Sequence, residues 1–280
     1  MNRTMITATN TLAQLQKQMD MIANNMANID TTGYKKREAT FTELMYQQFN
    51  NQRRDEAEVG RLTPNGIRQG TGARIGQTQL DMTQGNVKQA DRPLDTAFTK
   101  EGQLYKVLVQ TGVGNEIQYT RNGAMYLSPV GENEVALVNA DGHSIVDANN
   151  NPIYITGEAK EYNIDSSGQL SVTMTDGTVQ TFELGVVQVN KPQFLVSKGN
   201  NLFGLPENFA ELNVGVEEIL TDLVGPLRGE IGIQSHALES SNVDMAKEMT
   251  SLMNAQRAYQ FQSRAVSMAD QMMGLVNGIR

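Results

Sequence analysis

Apolar residues recur near the N-terminus with the spacing of an amphipathic helix. The steps alternate between three and four residues, and the opposite face carries Asn, Gln, Thr and Asp. This pattern predicts a helix of about 28 residues, roughly 42 Å long, with the apolar seam of a coiled coil. The helix is expected to stop near Gly33, since glycine favours helix ends. The N-terminal seam consists of Met5, Ala8, Leu12, Leu15, Met19, Ile22, Met26 and Ile29.

The same spacing returns near the C-terminus, with one polar member. The run from Ser241 to Asp244 has the spacing of a capping box, which predicts that a second long helix begins there. The C-terminal seam consists of Leu252, Ala255, Tyr259, Gln262, Val266, Ala269, Met273 and Val276.

The middle of the chain has a different pattern, because nearly all prolines and glycines lie between the two seams. Short alternating runs predict strands at 104–110, 117–121, 125–128, 134–138, 153–155, 169–174, 179–183 and 186–190. Asn122-Gly123, Asp141-Gly142, Ser167-Gly168 and Asp176-Gly177 are predicted hairpin turns. Residues 41–50 predict a short helix and residues 51–80 an extended or loop segment. The predicted fold is therefore α+β, with long N- and C-terminal coiled-coil helices flanking a central all-β domain.

Composition narrows the possible functions. The 280 residues carry a net charge of −8, and residues 91–240 hold eight basic and twenty acidic side chains, which argues against a nucleic-acid partner. The absence of cysteine excludes disulfides and thiolate metal sites. No apolar run is long enough to cross a membrane, and the N-terminus shows no secretion signal. Eleven of the fifteen methionines lie in 1–30 and 241–280, where they suit helices that adapt to partners.

Candidate chemistry is sparse. His143 and His236 are far apart in sequence and have no metal-binding spacing. The run from Asp147 to Glu158 has the length of a calcium loop, but Pro152 stands where a glycine is required, so we predict a polar turn. Lys35-Lys36-Arg37 is interpreted as a solvated turn after the first helix. We predict no catalytic residue, no cofactor and no metal.

Both ends of the chain carry recognisable motifs. The run from Asn24 to Lys35 resembles the N-terminal signature of the flagellar rod and hook family, and the run from Leu238 to Asp244 with Gln256-Arg257-Ala258-Tyr259 resembles its C-terminal signature. Tyr119–Gly123 and Asn200–Phe203 are similar to internal segments of that family, while Gly70–Gly72 and Gln84–Asn86 resemble its distal-rod members. Gly102-Gln103-Leu104-Tyr105 departs from the usual Gly-Phe-Phe. The signature residues are Asn24, Asn25, Asn28, Thr32, Gly33 and Tyr34 at one end, and Glu239, Ser241, Asn242, Val243, Gln256, Arg257 and Tyr259 at the other.

The resemblance implies a structural subunit of the flagellar basal-body rod that polymerises through its terminal helices into a torque-transmitting tube. It implies four segments: 1–44, an N-terminal helix with the rod signature; 45–80, an extended rod-type loop; 81–233, the β domain with its return segment; and 234–280, the C-terminal helix. Expected partners are copies of the chain, other rod and hook subunits and the flagellar type III export apparatus, with neither nucleic acid nor membrane insertion. The expected location is the basal body, reached without a cleaved signal peptide.

Two other functions stay open on the sequence. One is a rod-associated assembly or scaffold factor, and the other is an envelope carbohydrate-binding or hydrolytic β domain. Because the seams have no evident partner within the chain, we also expect the termini to order only on assembly.

Overall fold

A computed structural model describes residues 2–44, 47–49, 67–70, 72–112, 114–131, 133–206 and 215–278. It is an α+β protein with an N-terminal helix, a β-rich middle and a C-terminal helix, as predicted. The coiled coil stays a prediction. Three helices are described: α1 (Asn2–Ala27), α2 (Val216–Ile219) and α3 (Met245–Gly278). Short 3₁₀ helices span Pro192–Phe194 and Gly225–Glu230.

The described strands, in chain order, are β1 (Arg37–Glu43), β2 (Gln47–Phe49), β3 (Ile67–Gln69), β4 (Ala73–Leu80), β5 (Val87–Gln89), β6 (Thr96–Phe98), β7 (Gln103–Thr111), β8 (Gly114–Thr120), β9 (Tyr126–Pro129), β10 (Glu134–Val138), β11 (Ser144–Ile145), β12 (Tyr154–Thr156), β13 (Ala159–Ile164), β14 (Gln169–Met174), β15 (Val179–Glu183), β16 (Val186–Val189), β17 (Val196–Gly199), β18 (Leu202–Gly204), β19 (Leu220–Asp222), β20 (Ile233–Ser235) and β21 (Ala237–Glu239).

The chain divides into two compact units. The terminal unit comprises the described parts of Met1–Asn24, Glu38–Thr78 and Ala246–Arg280, and the β unit comprises Asn25–Arg37 and Gln79–Met245. This division follows contacts in space, whereas the four predicted segments follow the chain and remain predictions.

The β unit is built on one large sheet. Among the described residues it has ten strands, with β12, β10, β11, β7, β8, β18 and β17 in spatial order and β9, β16 and β19 attached. Strands β13, β14 and β15 form a separate three-stranded meander, and β20 pairs with β6 and β21 with β5. The larger hydrophobic core contains Phe98, Tyr105, Met125, Leu137 and Leu170, all of them almost fully buried.

Most strand predictions are confirmed, several of them to the residue. Strands β10, β14 and β15 have the predicted bounds. The turns at 141–142, 167–168 and 176–177 join strands that pair with each other, namely β10 with β11, β13 with β14, and β14 with β15. Alternating side chains and glycine turns are local signals, which explains the agreement.

The prediction of a hairpin at Asn122-Gly123 is wrong, because β8 pairs with β7 and β18 while β9 pairs with β10. Gly123 instead lies against the Thr96 backbone, where an added Cβ would come 1.9 Å from the carbonyl oxygen. The glycine therefore permits a close approach between distant segments.

The short helix predicted for residues 41–50 is wrong, and the described part of 51–80, predicted as extended or loop, is extended and forms strands. Residues 41–43 end β1 and residues 47–49 form β2, so no helix is formed by those described residues. Residues 67–69 form β3, which pairs with β2, and residues 73–80 form β4, which pairs with β1, whereas all of 51–66 lies outside the described residues. The strand partner of β1 lies about thirty residues away in sequence, and a local pattern cannot reveal such a pairing.

Both helix boundaries differ from the predictions. Helix α1 ends at Ala27, well before Gly33, and the Asn25 side chain is bonded to both main-chain groups of Arg37. Helix α3 begins at Met245, so the predicted capping box at Ser241 is wrong; the Ser241 hydroxyl accepts from the Val243 N–H within the preceding turn. A polar side chain can bond to nearby backbone outside a helix as readily as at a helix end, so the local signals at Gly33 and Ser241 do not mark the observed boundaries.

Candidate assembly site

The N-terminal and C-terminal signatures meet in the β unit at one carboxylate. Glu239 Oε1 accepts hydrogen bonds from Lys35 Nζ at 2.7 Å and from the Gly85 N–H at 2.9 Å. Its Oε2 accepts from Arg121 Nε at 2.6 Å. We call Lys35, Gly85, Arg121 and Glu239 the Glu239 cluster. Four separate stretches of the chain are thus joined at one buried point.

Main-chain contacts reinforce the Glu239 cluster. The Gly33 N–H donates to the Glu239 carbonyl at 2.8 Å, and Lys35 Nζ donates to the Thr83 carbonyl at 2.6 Å. Gly33 has φ of +68°, a conformation that favours glycine, and a Cβ there would lie 2.7 Å from the Asn122 nitrogen. A Cβ on Gly85 would lie 2.0 Å from the Ser240 carbonyl oxygen. Glycines at these positions therefore allow the backbones to approach.

The Glu239 cluster carries two cations and one anion in a dry environment. The side chains of Lys35 and Arg121 are 1% exposed and that of Glu239 is 2% exposed. Burial, followed by repulsion from Arg121, lowers the pKa of Lys35. Burial opposes ionisation of Glu239, yet Arg121 and Lys35 hold the pKa of its carboxyl below the usual value. The carboxylate is therefore ionised at neutral pH and is shared by two cations.

Asparagines of the signatures connect the same stretches. The Asn25 Oδ1 accepts from the Tyr34 hydroxyl at 3.1 Å, and the Asn242 Oδ1 accepts from the Lys36 N–H at 2.8 Å. Asn242 Nδ2 donates to the Asp81 carbonyl at 2.9 Å. An amide side chain offers both donors and an acceptor, so it can bind two backbone segments at once.

The second internal motif joins this network as well. Asn201 Nδ2 donates to the Thr32 carbonyl at 2.8 Å, and the Thr120 hydroxyl donates to the Asn201 carbonyl at 3.1 Å. Asn201 has φ of +60°, which asparagine tolerates better than most residues. Signature residues that are far apart in sequence thus share one structural role: they bind the segment after α1 to the rest of the β unit.

The structure distributes the predicted signature residues unevenly. Asn25, Gly33, Tyr34, Glu239, Ser241 and Val243 are buried, whereas Thr32, Asn28 and Asn242 are half-buried. Asn24, Gln256 and Arg257 are exposed and Tyr259 is half-buried. Asn25, Thr32, Gly33, Tyr34, Glu239 and Asn242 take part in the contacts described above, and the role of the α3 members stays a prediction.

Sequence reasoning missed two members of the cluster as functional residues. Lys35 was predicted to lie in a solvated turn, and this is wrong because it is buried against Glu239. Arg121 belongs to the motif Tyr119–Gly123, but the sequence indicated no partner for its side chain. A lysine and an arginine have the same local signal whether solvated or buried, and the acid that pairs with them is 204 and 118 residues away.

The two predicted seams lie on the less exposed faces of their helices. In α1, Ala8 and Ile22 are buried and the other helical members are half-buried; Ile29 lies just beyond the helix. In α3, Ala255 and Ala269 are buried, and every other member except Val276 is half-buried. Their pairing with neighbouring subunits stays a prediction.

The polar face of α1 carries a contact that the sequence did not predict. The Gln14 Oε1 accepts from the Ile75 N–H at 3.0 Å, and a Cβ on Gly72 would lie 3.3 Å from the Thr7 methyl group. Residues at and beside β4 therefore lie against the polar side of this helix, all within the terminal unit.

Helix α3 also has a second apolar face that is exposed. Phe261 is 73% exposed and Leu275 is 69% exposed. They share a face with Met268 and Met272, because successive members are 7, 4 and 3 residues apart. We call these four residues the exposed stripe. Earlier in the helix, Met245, Met249 and Met253 are exposed as well. Exposed apolar sets of this kind mark contact surfaces.

The remaining candidates for chemistry are the two histidines and the loop that begins at Asp147. His143 is half-buried beside a hairpin turn and His236 is exposed with φ of +55°. The Asp147 carboxylate accepts from the N–H groups of Asn149 and Asn151, both at 2.8 Å, as in a polar turn. Within the described ranges, no group of three or more His, Asp or Glu side chains could hold a metal ion.

Comparison with known families places the chain in a class. A model described as flagella basal body rod protein matches residues 5–35, and one described as flagellar basal body rod FlgEFG protein C-terminal matches residues 234–279. One match contains Lys35 and the other contains Glu239, so the two matched regions are joined by the buried ion pair.

Individual relatives agree over the full length. The chain is 42% identical to the flagellar hook-basal body complex protein FlhP of Bacillus subtilis, covering 100% of both chains. It is 31% identical to the flagellar basal-body rod protein FlgG of Caulobacter vibrioides, covering 98% of each. Identity to the FlgG of Bacillus subtilis is 28%, over 98% of this chain and 97% of that protein. The chain belongs to the flagellar basal-body rod protein family.

In the described ranges, no helix is both long and apolar enough to span a membrane.

Proposed function

We propose that this protein is a structural subunit of the bacterial flagellar basal-body rod. Family membership supports a rod subunit, and the exposed stripe of α3 is the observation that carries the manner of assembly. Large apolar side chains in water are unfavourable, and each contributes roughly 1.5–3 kcal/mol when fully buried. A second copy of the chain is the occupant we assign to the stripe, because rod subunits repeat along the axis.

The C-terminal seam and the exposed stripe give α3 apolar side chains on two faces. A helix that packs on one side only needs one apolar face, whereas a helix surrounded by neighbours needs more. We infer that the seam face is covered first and that the exposed stripe is covered when a neighbouring copy is added. An interface that does not close on itself then builds a helical tube.

The wider partners follow from the family. Other rod and hook subunits would adjoin the polymer at its two ends, and the flagellar type III apparatus would export the chain to the basal body without a cleaved signal peptide. Termini that complete their packing only in the polymer would limit premature assembly. Identity is higher to FlhP, a hook-basal body complex protein, than to the FlgG of the same bacterium, which supports a role in that complex. No catalytic role is proposed.

Substitutions in the exposed stripe test the proposal. Phe261→Asp and Met268→Asp place a charge where a neighbouring copy would bury an apolar side chain, so we expect normal synthesis and export, incomplete rods and loss of motility. The matched control is Gln260→Asp, an exposed position on the same helix that lies outside the stripe. Rod completion is measured by electron microscopy of basal bodies and motility by swarming.

Complete rods in the Phe261→Asp strain would refute the assignment of the stripe. Loss of motility with the Gln260→Asp control would also refute it, since a charge anywhere on the helix would then have the same effect.

A further inference from the structure

The partners of Glu239 all precede it in the chain by long distances. Lys35, Gly85 and Arg121 lie 204, 154 and 118 residues earlier. Glu239 itself is the last residue of β21, which pairs with β5 in a two-stranded sheet. Every contact that gathers these stretches around the carboxylate therefore depends on a residue that is made late.

The positive charges of Lys35 and Arg121 make the burial of both side chains depend strongly on the Glu239 carboxylate. Without the carboxylate, Lys35 and Arg121 would be two buried cations whose remaining acceptors are the carbonyl oxygens of Thr83 and Gln103. A buried cation without a counter-ion is far more costly than one that stays in water. Among neighbouring charges, Asp81 is paired with Lys36 at 3.1 Å. The nearby Tyr105 hydroxyl is bonded to Thr96, and burial raises its pKa, so it supplies no anion at neutral pH.

We infer that Glu239 is a closing residue, which means that the β unit cannot bury Lys35 and Arg121 until β21 has delivered the carboxylate. Because a chain is synthesised from its N-terminus, the residues around Lys35 stay open until the C-terminal strand has emerged. The two ends are then fixed in one event. Lys35 lies eight residues after the end of α1, and Glu239 lies six residues before the start of α3.

A contrast between two variants of the full chain tests the inference. Glu239→Gln keeps the shape but leaves two uncompensated cations, so the equilibrium constant for unfolding should rise about 100-fold or more. Lys35→Met removes a cation and leaves the Arg121–Glu239 pair neutral. It also leaves no acceptor orphaned, since Gly85 still donates to Oε1 and Asn242 Nδ2 lies 3.3 Å from the Thr83 carbonyl. Its unfolding constant should change less than about tenfold.

The double variant measures how the charges interact. Adding Lys35→Met to Glu239→Gln should recover at least about tenfold of the lost stability, because one of two unpaired cations is gone. Urea unfolding followed by tyrosine fluorescence provides the constants. An additive double variant, or a Lys35→Met variant as unstable as Glu239→Gln, would overturn the inference. If Glu239→Gln does not fold at all, a folded Lys35→Met supports the inference and an unfolded one overturns it.

Hydrogen exchange during refolding tests the order of events. The Gly33 and Gly85 amides bond to Glu239, whereas the Lys106 amide bonds to Gly185 in the core. The Arg121 guanidinium lies 4.9 Å from the centre of the Phe98 ring in the core, so on this inference the core cannot close before Arg121 is paired with Glu239. Pulse labelling of the native sequence should therefore protect all three amides in one kinetic phase. Protection of the Gly33 amide in a phase later than that of Lys106 would show that the core closes without Glu239, and would overturn the inference.

Discussion

The β unit and helix α3 differ in which side chains they bury and which they expose. Around Glu239 even charged side chains are buried, and each finds a partner within the same chain. Along α3 even phenylalanine and leucine are exposed, although burial would stabilise them. The difference teaches that this chain completes the β unit by itself, and under the proposed function α3 is completed by neighbouring subunits. A rod subunit needs both, a body that keeps its shape and ends that bind.

The largest loss of stability in the β unit is expected from adding a side chain at Gly85. In Gly85→Ala the new methyl group would meet the Ser240 carbonyl oxygen, so the loop must withdraw from β21 and from Glu239. We expect a loss of about 3 kcal/mol in the free energy of unfolding, measured by urea denaturation. Gly229→Ala is the matched control, because a Cβ there has open space around it. Equal stabilities of the two variants would contradict the described packing.

A charge in the C-terminal seam should damage α3 and leave the β unit intact. Leu252 is half-buried, so Leu252→Asp should cost about 2 kcal/mol locally and prevent rod completion while export continues. Leu15→Asp should do the same in the N-terminal seam. Hydrogen exchange should show faster opening of α3 with unchanged protection of the β14 amides. The exposed Arg264→Asp serves as control, and a motile Leu252→Asp strain would count against an assembly role of the seam.

The smallest expected effects are two pH dependences of the β unit, the first of them on the alkaline side. The pKa of Lys35 is lowered from 10.5 in the folded state, so the unfolded chain binds more protons between the lowered value and 10.5. Stability contributed by this group should therefore rise with pH in that window, by at most about 1.4 kcal/mol per pH unit. The rise should be absent from Lys35→Met. A variant that keeps the full alkaline rise would show that another group causes it.

Ionisation of Glu239 should make the free energy of unfolding depend on pH in acidic solution. Its pKa is lowered from 4.5, so its contribution is present above 4.5 and is lost as the pH falls through the lowered value. The difference in stability between the native sequence and Glu239→Gln should therefore shrink on acidification. Circular dichroism during thermal unfolding measures it, and a difference that stays constant would argue against an ionised carboxylate.

Local signals in the sequence predicted much of this protein. Alternation gave β10, β14 and β15 to the residue, and glycine turns located three of four hairpins. The three-four spacing identified the less exposed faces of α1 and α3. These features depend on neighbours in the sequence, and their periods are fixed by backbone geometry. The motifs at the two ends also sufficed to indicate the family, since they were specific in residue type and order.

Only the tertiary structure decided which residues meet. It paired β1 with β4, moved the end of α1 away from Gly33, and turned Gly123 from a hairpin residue into a point of close approach. It also buried Lys35 with Arg121 on Glu239. A charged side chain has the same local signal in water and in a core, and its burial is decided by a counter-ion that the fold brings from far along the chain.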